Sequence, residues 1–361
     1  MKRGQTLSLL LAVVAVMGLA SVSAGEARTR DMFREPFDVL QRGLKLSPAS
    51  HYERIYDKAW LKIKDNYVAR DKLVEWDRWR HRFDQRLTSR VALVKALNEM
   101  VNSLQDDYTY LLSDEAVTKR ANTRCMKNVV HVSRLDNNIG YIKLDTFSSD
   151  STVPEFRKGL NQLHGCDAYV IDLRNNHGGY IDAAHQIFSM LAERGMFMTY
   201  IGYENGAPDM EAHILQPDRW QLWRNGERFD SKRASSRVSA SPLLVLVNED
   251  TRSAAELLAG SLRDGGQAKV LGTKTYGKGV LQDAYELGEH LFLKVTTAKY
   301  FLPSGVNIHG KGIDPDVVIK NEPGTDNQLS TATSMLHRAL AESRRTGIRA
   351  LALLEGAGMR L

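Results

Sequence analysis

Apolar residues recur at helical spacing early in the chain: Tyr52, Ile55, Tyr56, Ala59, Trp60, Ile63 and Tyr67 fall along one helix face. That stripe predicts a core-facing amphipathic helix rather than an aromatic binding box. Asp71–Arg86 carries Trp76 and Trp79 among many charges and reads as a further helix or helix-loop, and Leu93, Leu97, Met100, Val101 and Leu104 predict a third helix. Residues 25–112 therefore read as a helical N-terminal domain, with Ala27–Ser47 as a loosely ordered entry segment.

After a short polar connector, Ser113–Lys127, the period changes. Val129–Val132, Ile139–Leu144 and Ala168–Leu173 read as strands, with a helix over Val153–Leu163 between the last two. Strand, helix, strand implies a right-handed crossover and a largely parallel sheet, so the expected class is α/β. The turn Arg174–Gly179 leads into a helical pattern through Ile187, Met190 and Leu191. Tyr200–Val238 is polar, with Trp220 and Trp223, and reads as a surface excursion or hairpin. Leu243–Val247 is a buried strand, Asn248–Thr251 a turn, and a helix begins near Ser253. Val270-Leu271 leads to Gly277-Lys278-Gly279, and Leu291–Leu302 is another strand. Thr325-Asp326-Asn327-Gln328 has the form of a capping box before Leu329, Ala332, Leu336 and Leu340. The expected division is a core over 113–320 and a C-terminal helical segment over 321–361.

With 361 residues, 43% of them hydrophobic, the chain can bury a large core in two or three units. The formal charge of +6 is a weak basic bias without a concentrated patch, and gives no reason to expect nucleic acid as a partner. Lys2 and Arg3, the uncharged run Leu7–Ala20 and the small residues Val22-Ser23-Ala24 read as a signal peptide over 1–24. The run is shorter than the roughly 20 residues of a bilayer span. Export across the inner membrane to the periplasm follows, without stable membrane insertion after cleavage. Cys125 and Cys166 are equally open to pairing or to remaining free thiols.

The chemistry concentrates between Val247 and Gln282. A serine hydroxyl needs a base and oxyanion donors to attack a carbonyl. Ser253 sits at a helix mouth, and Lys278 between two glycines becomes a base if desolvation or a nearby cation lowers its pKa. The Ala254 N–H, just after the serine, and the backbone at Gly178 or Gly179 are candidate oxyanion donors. Gln282 offers an amide oxygen to orient the lysine. Each part also has a plainer reading: Ser253-Ala254-Ala255-Glu256 is a capping box, Lys278 a solvated turn lysine and Gly178-Gly179 an ordinary turn. Spacing does not show that these parts meet.

Gly272–Lys278 fits G-x-x-x-x-G-K, but Gly279 stands where a phosphate loop has Ser or Thr, and no H-E-x-x-H occurs. Neither a nucleotide, a metal nor another cofactor is expected. A Ser-His-Asp arrangement through His177 stays open, though nothing else marks that histidine.

From Asn128 to Lys320 the sequence resembles the C-terminal processing (tail-specific) peptidases, the S41 family of serine proteases. The resemblance rests on Asp172–Gly179, on Val247-Asn248 with Ser253–Glu256, on Thr275–Gly279 with Gln282, and on Thr296–Gly305 and Gly310–Asp316, all in family order. It implies a crotonase-like α/β fold and exposed or unfolded protein C-termini as substrates. It also implies Ser253 as nucleophile, Lys278 as general base, Gln282 as the residue orienting the lysine, and oxyanion donors at Ala254 and in the Gly178-Gly179 turn. Three departures stand out. Arg252 and Ala255 replace small and hydroxyl residues around the serine. His177 stands where the family often has proline or glycine. The connector Ser113–Lys127 is too short for the PDZ module that many members carry. The expected activity is that of an exported serine endopeptidase; the competing expectation is a catalytically weak, secreted peptide-binding protein.

Overall fold

The computed structural model describes residues 51–233 and 241–347, with residues 350, 352 and 354 beyond them. The expected signal peptide and entry segment lie outside the described residues. In chain order the elements are α1 (His51–Asn66), a 3-10 turn (Arg70–Leu73), α2 (Asp77–Arg80), α3 (Arg90–Asn102), β1 (Tyr110–Leu112), α4 (Asp114–Arg124), β2 (Val130–Leu135), β3 (Ile139–Leu144) and α5 (Thr152–Gln162). There follow β4 (Ala168–Asp172), α6 (Ile181–Leu191), β5 (Gly195–Glu204), β6 (Ala207–Leu215), β7 (Arg219–Arg224), β8 (Glu227–Lys232), β9 (Leu243–Val247) and α7 (Ala254–Asp264). The chain continues through β10 (Lys269–Gly272), β11 (Val280–Gly288), β12 (Leu291–Phe301), β13 (Val317–Val318) and α8 (Asn327–Thr346).

Two compact units result. The first holds the described residues through Asp114 together with Gly202–Asp209 and Gln282–Ala298; the second holds Glu115–Ile201, Met210–Leu281 and the chain from Lys299 on.

In the first unit the aromatic stripe of α1 is core. Ile55, Tyr56, Ala59, Trp60 and Ile63 pack with Trp76, Trp79, Leu93, Leu97 and Met100, and with Leu291, Leu293 and Val295. Burying each such side chain is worth about 1.5–3 kcal/mol, enough to decide which helix face turns inward. The indole N–H of Trp60 donates to the Trp76 carbonyl at 3.1 Å and that of Trp76 to the Trp60 carbonyl at 3.2 Å, so neither polar edge is buried unpaired.

The second unit is built on a six-stranded sheet of order β13-β10-β9-β4-β3-β2. Its strands are parallel except for β2, which pairs antiparallel with β3. Strand alternation sorts its residues: Ile142, Leu144, Ile171, Val245, Val247 and Val270 join the core beneath α5, α6 and α7, whereas Ile139, Ala168, Val170, Leu244, Leu246 and Leu271 face α8. Both faces are covered, which is why the strands read as continuous apolar runs.

Two stretches differ from the sequence reading. The polar connector is largely helix α4. The stretch after Tyr200, expected as a surface excursion or hairpin, is a set of regular strands, with Asn205-Gly206 and Asn225-Gly226 both at positive φ, as a two-residue hairpin turn requires. Cys125 is exposed, Cys166 is buried, and no disulfide joins them.

Candidate active site

Parallel strands β4 and β9 are neighbours, so their C-terminal ends deliver two turns to one place. The turns are tied together directly. The Thr251 hydroxyl donates to the Leu173 carbonyl at 2.9 Å, the Arg252 N–H to the Asn176 carbonyl at 2.9 Å, and the Asn248 amide to Asn175 Oδ1 at 2.7 Å. Ser253 ends the β9 turn with φ 54° and ψ −119°, a backbone that a non-glycine residue adopts only under constraint. It is 8% exposed, and α7 starts at the next residue.

Gly178 has φ 81°, and a Cβ added there would lie 2.6 Å from the Arg252 carbonyl oxygen and 2.9 Å from the Ala254 nitrogen. The β4 turn thus presses its backbone against the start of α7, which only glycine permits. The Gly178 N–H donates to Asn176 Oδ1 at 2.9 Å, and its carbonyl accepts from the Phe147 N–H at 2.9 Å. Among the described residues, the N–H groups of Gly179 and Ala254 have no protein acceptor.

A third turn, Thr275–Gly279, follows β10. Its Tyr276 N–H donates to the Thr251 carbonyl at 3.1 Å. The buried carboxylate of Glu256 joins this turn to the serine. One oxygen accepts the N–H groups of Ser253 and Lys278, each at 2.9 Å; the other accepts the Thr275 hydroxyl at 2.5 Å and the Gly277 N–H at 2.7 Å. The Tyr300 hydroxyl lies 2.6 Å from the Lys278 carbonyl oxygen and 3.3 Å from that of Ser253. Ser253 and Lys278, far apart in sequence, therefore have their backbones fixed by the same two side chains. Burial pushes the Glu256 carboxyl above the ordinary carboxylate range, opposed by the hydrogen bonds from Thr275, Lys278, Gly277 and Ser253.

The sequence reading took Glu256 as a capping residue only, and missed Thr275, Asn176 and Tyr300. A carboxylate between Ala255 and Leu257 on an otherwise apolar helix was the one local signal for Glu256; the partners that explain it come from other elements. Gln282 is half-buried in β11 and belongs to the first unit. The His177 side chain is 66% exposed, with Nε2 3.9 Å from Asp250, and makes no hydrogen bond to Ser253; the Ser-His-Asp arrangement is not formed. Arg252 neither faces open solvent alone nor stands unneutralised. Its Nη2 is 2.8 Å from Asp250 Oδ1, and its guanidinium stacks 4.2 Å from the Tyr276 ring centroid. The phosphate-loop likeness ends with Glu256, because the Gly277 and Lys278 N–H groups face a carboxylate instead of an anion site. Among the described residues no group of three or more His, Cys, Asp or Glu side chains is placed to hold a metal ion. No described helix is long and apolar enough to cross a membrane.

The family model for Peptidase family S41 matches residues 138–319, half of the chain. The chain belongs to peptidase family S41. It is 35% identical over 203 residues to a carboxyl-terminal-processing protease of Picosynechococcus, covering 56% of this chain and 44% of that protein. To the carboxy-terminal-processing protease of Bartonella bacilliformis it is 27% identical over 249 residues, 66% of this chain and 53% of that one. The chain thus spans about half the length of the curated relatives it matches. Its fold is that of a photosystem II D1 C-terminal processing protease (TM-score 0.59, 19% identity, 75% of this chain and 94% of that one). A lipoprotein from Streptococcus agalactiae shares it too (TM-score 0.59, 19% identity, 82% and 99%).

Proposed function

We propose that the chain is an exported serine endopeptidase that hydrolyses peptide bonds in unfolded or C-terminally exposed proteins. Ser253 attacks the peptide carbonyl, Lys278 takes the hydroxyl proton and passes it to the leaving amine, and water then hydrolyses the acyl-enzyme. The single observation that carries this reading is the Glu256 carboxylate bound to both the Ser253 and the Lys278 backbone N–H, since a site whose parts are held together from separate turns is a preorganised one. A helix cap needs only the first of those bonds.

In this mechanism the oxyanion is received by the Ala254 N–H, aided by the N-terminal end of α7, and by the Gly179 N–H. Gly178 acts by shape, its own N–H being committed to Asn176. Gln282 stands at the position that the family resemblance assigns to the residue orienting the lysine. Export rests on the sequence pattern of residues 1–24.

Purified protein is expected to cleave an unfolded protein substrate. Ser253→Ala and Lys278→Ala each lower the rate at least about 1,000-fold with an unchanged circular dichroism spectrum. Wild-type rates in both variants sink the mechanism; peptide binding without cleavage by the wild type replaces it with a binding role. Amino-terminal sequencing of the protein recovered from the producing cell is expected to begin after Ala24.

A further inference from the structure

Among the described residues, strand β8 pairs with β7 and no strand lies beyond it, and all six of its residues are exposed. Its ends are fixed. On one side is the tight Asn225-Gly226 turn, with φ 49° and 90°. On the other, Arg233 donates to the carbonyls of Ser189, Ala192, Glu193 and Gln216 around the end of α6. An exposed, ordered strand edge is a template for another strand.

The hairpin determines which backbone groups that template offers. A two-residue turn makes Arg224↔Glu227 a hydrogen-bonded pair, and pairs alternate from there, so Glu227, Phe229 and Ser231 bond to β7. The N–H and C=O groups of Arg228, Asp230 and Lys232 point outward. If a second copy docks antiparallel, these three must pair among themselves. Placing Asp230 opposite Asp230 also sets Arg228 against Lys232, and centring on Arg228 sets arginine against arginine. Like charges directly opposite each other destabilise a sheet. Two registers avoid this, with the twofold axis at Phe229 or at Ser231, and only the first also brings exposed apolar surface together. In the first, Arg228 faces the other copy's Asp230 twice, and the two Phe229 rings, each 51% exposed in the single chain, meet in the close, non-hydrogen-bonded position.

We propose that β8 is a self-pairing edge through which two copies of this chain form a twofold dimer, in the register Arg228↔Asp230 with Phe229↔Phe229. In the single chain Asp230 is shared between Arg219 and Arg228, each at 3.4 Å, long contacts that leave it available to a better-placed arginine. One short strand pair buries less than the roughly 1,200 Å² of a stable interface, so the dimer is weak and concentration-dependent.

The test uses the full chain carrying Ser253→Ala, which prevents self-cleavage, followed by sedimentation velocity from about 1 µM to about 500 µM. The parent is expected to pass from monomer to dimer over that range. Arg228→Asp shifts the transition at least about tenfold upward in concentration, and Arg228→Asp with Asp230→Arg brings it back. In a Cys125→Ser background, Phe229→Cys is expected to form a disulfide-linked dimer under mild oxidation, because cross-strand partners in a non-hydrogen-bonded pair lie within disulfide reach. Val91→Cys, at a position more exposed than Phe229, stays monomeric. A parent that remains monomeric throughout, as it would if the edge served only an extended peptide, overturns the proposal. So does a dimer indifferent to Arg228→Asp, or a double variant that fails to restore it.

Discussion

The chain contains two strand–turn–helix corners side by side, β4 into α6 and β9 into α7, alike in topology and opposite in construction. At the β9 corner the positive-φ position is filled by Ser253, and strain is held by the Glu256 carboxylate and the Tyr300 hydroxyl. At the β4 corner the positive-φ positions next to the start of α6 are the glycines Gly178 and Gly179, with Asn175 earlier in the turn at φ 63°, and the turn is held by the Asn176 amide, which receives the Gly178 N–H and donates to the Leu144 carbonyl at 2.8 Å. A side chain at the bend projects a reactive atom, whereas its absence lets the neighbouring backbone close in. The same unit is thus a nucleophile's seat or the wall facing it, according to whether the bend carries a Cβ.

Gly178→Ala breaks this division most severely. Its φ of 81° is strained for alanine, and the added methyl meets the Arg252 carbonyl oxygen at 2.6 Å. Denaturant unfolding is expected to show a loss of about 2–4 kcal/mol, with proteolysis falling further than stability does because Ala254 is pushed aside. Glu256→Gln tests the other corner more gently. It keeps the volume but cannot accept from four donors, so kcat/KM is expected to fall about 10- to 100-fold while stability drops by about 1–3 kcal/mol. An effect on stability alone would make Glu256 merely structural.

The effect confined to acid pH concerns α6, which follows the β4 corner. His185 on this helix stacks on Trp220 of β7 at 3.5 Å, with Phe197 of β5 beside it and His213 of β6, itself 2.9 Å from Glu211, facing it. Burial, with the neighbouring His213 charge, lowers its pKa from 6.5 to about 3. The unfolded chain therefore binds a proton that the folded one refuses between these values. Stability from this group is present above about pH 6.5 and lost as pH falls toward 3, with a slope of at most about 1.4 kcal/mol per pH unit. His185→Phe is expected to flatten that part of the profile in chemical unfolding measured between pH 4 and 7.

Much of this was legible before any coordinates. The parallel strands appeared as unbroken apolar runs because both faces are covered, and the α1 stripe appeared as core because its period matches a helix face. The β5–β8 region read only as a surface excursion or hairpin, since its strands are rich in polar residues and only partly buried, although the two Asn-Gly pairs carried the signal for the turns. Ser253 and Lys278 could be named from their motifs, but nothing local distinguished them from a cap and a turn lysine. Glu256, Thr275 and Tyr300 stayed hidden for the same reason: each acts on residues of another element.

The sequence by itself determined the α/β class, the family and the candidate serine and lysine, since periodicity and ordered motifs are properties of the chain read end to end. Only the tertiary structure decided that the Ser253 and Lys278 backbones share one buried carboxylate, that Gly178 gives up its own N–H, and that β8 is the sheet's last strand among the described residues. Hydrogen bonds and steric contacts depend on distance in space, and no spacing along the chain encodes it.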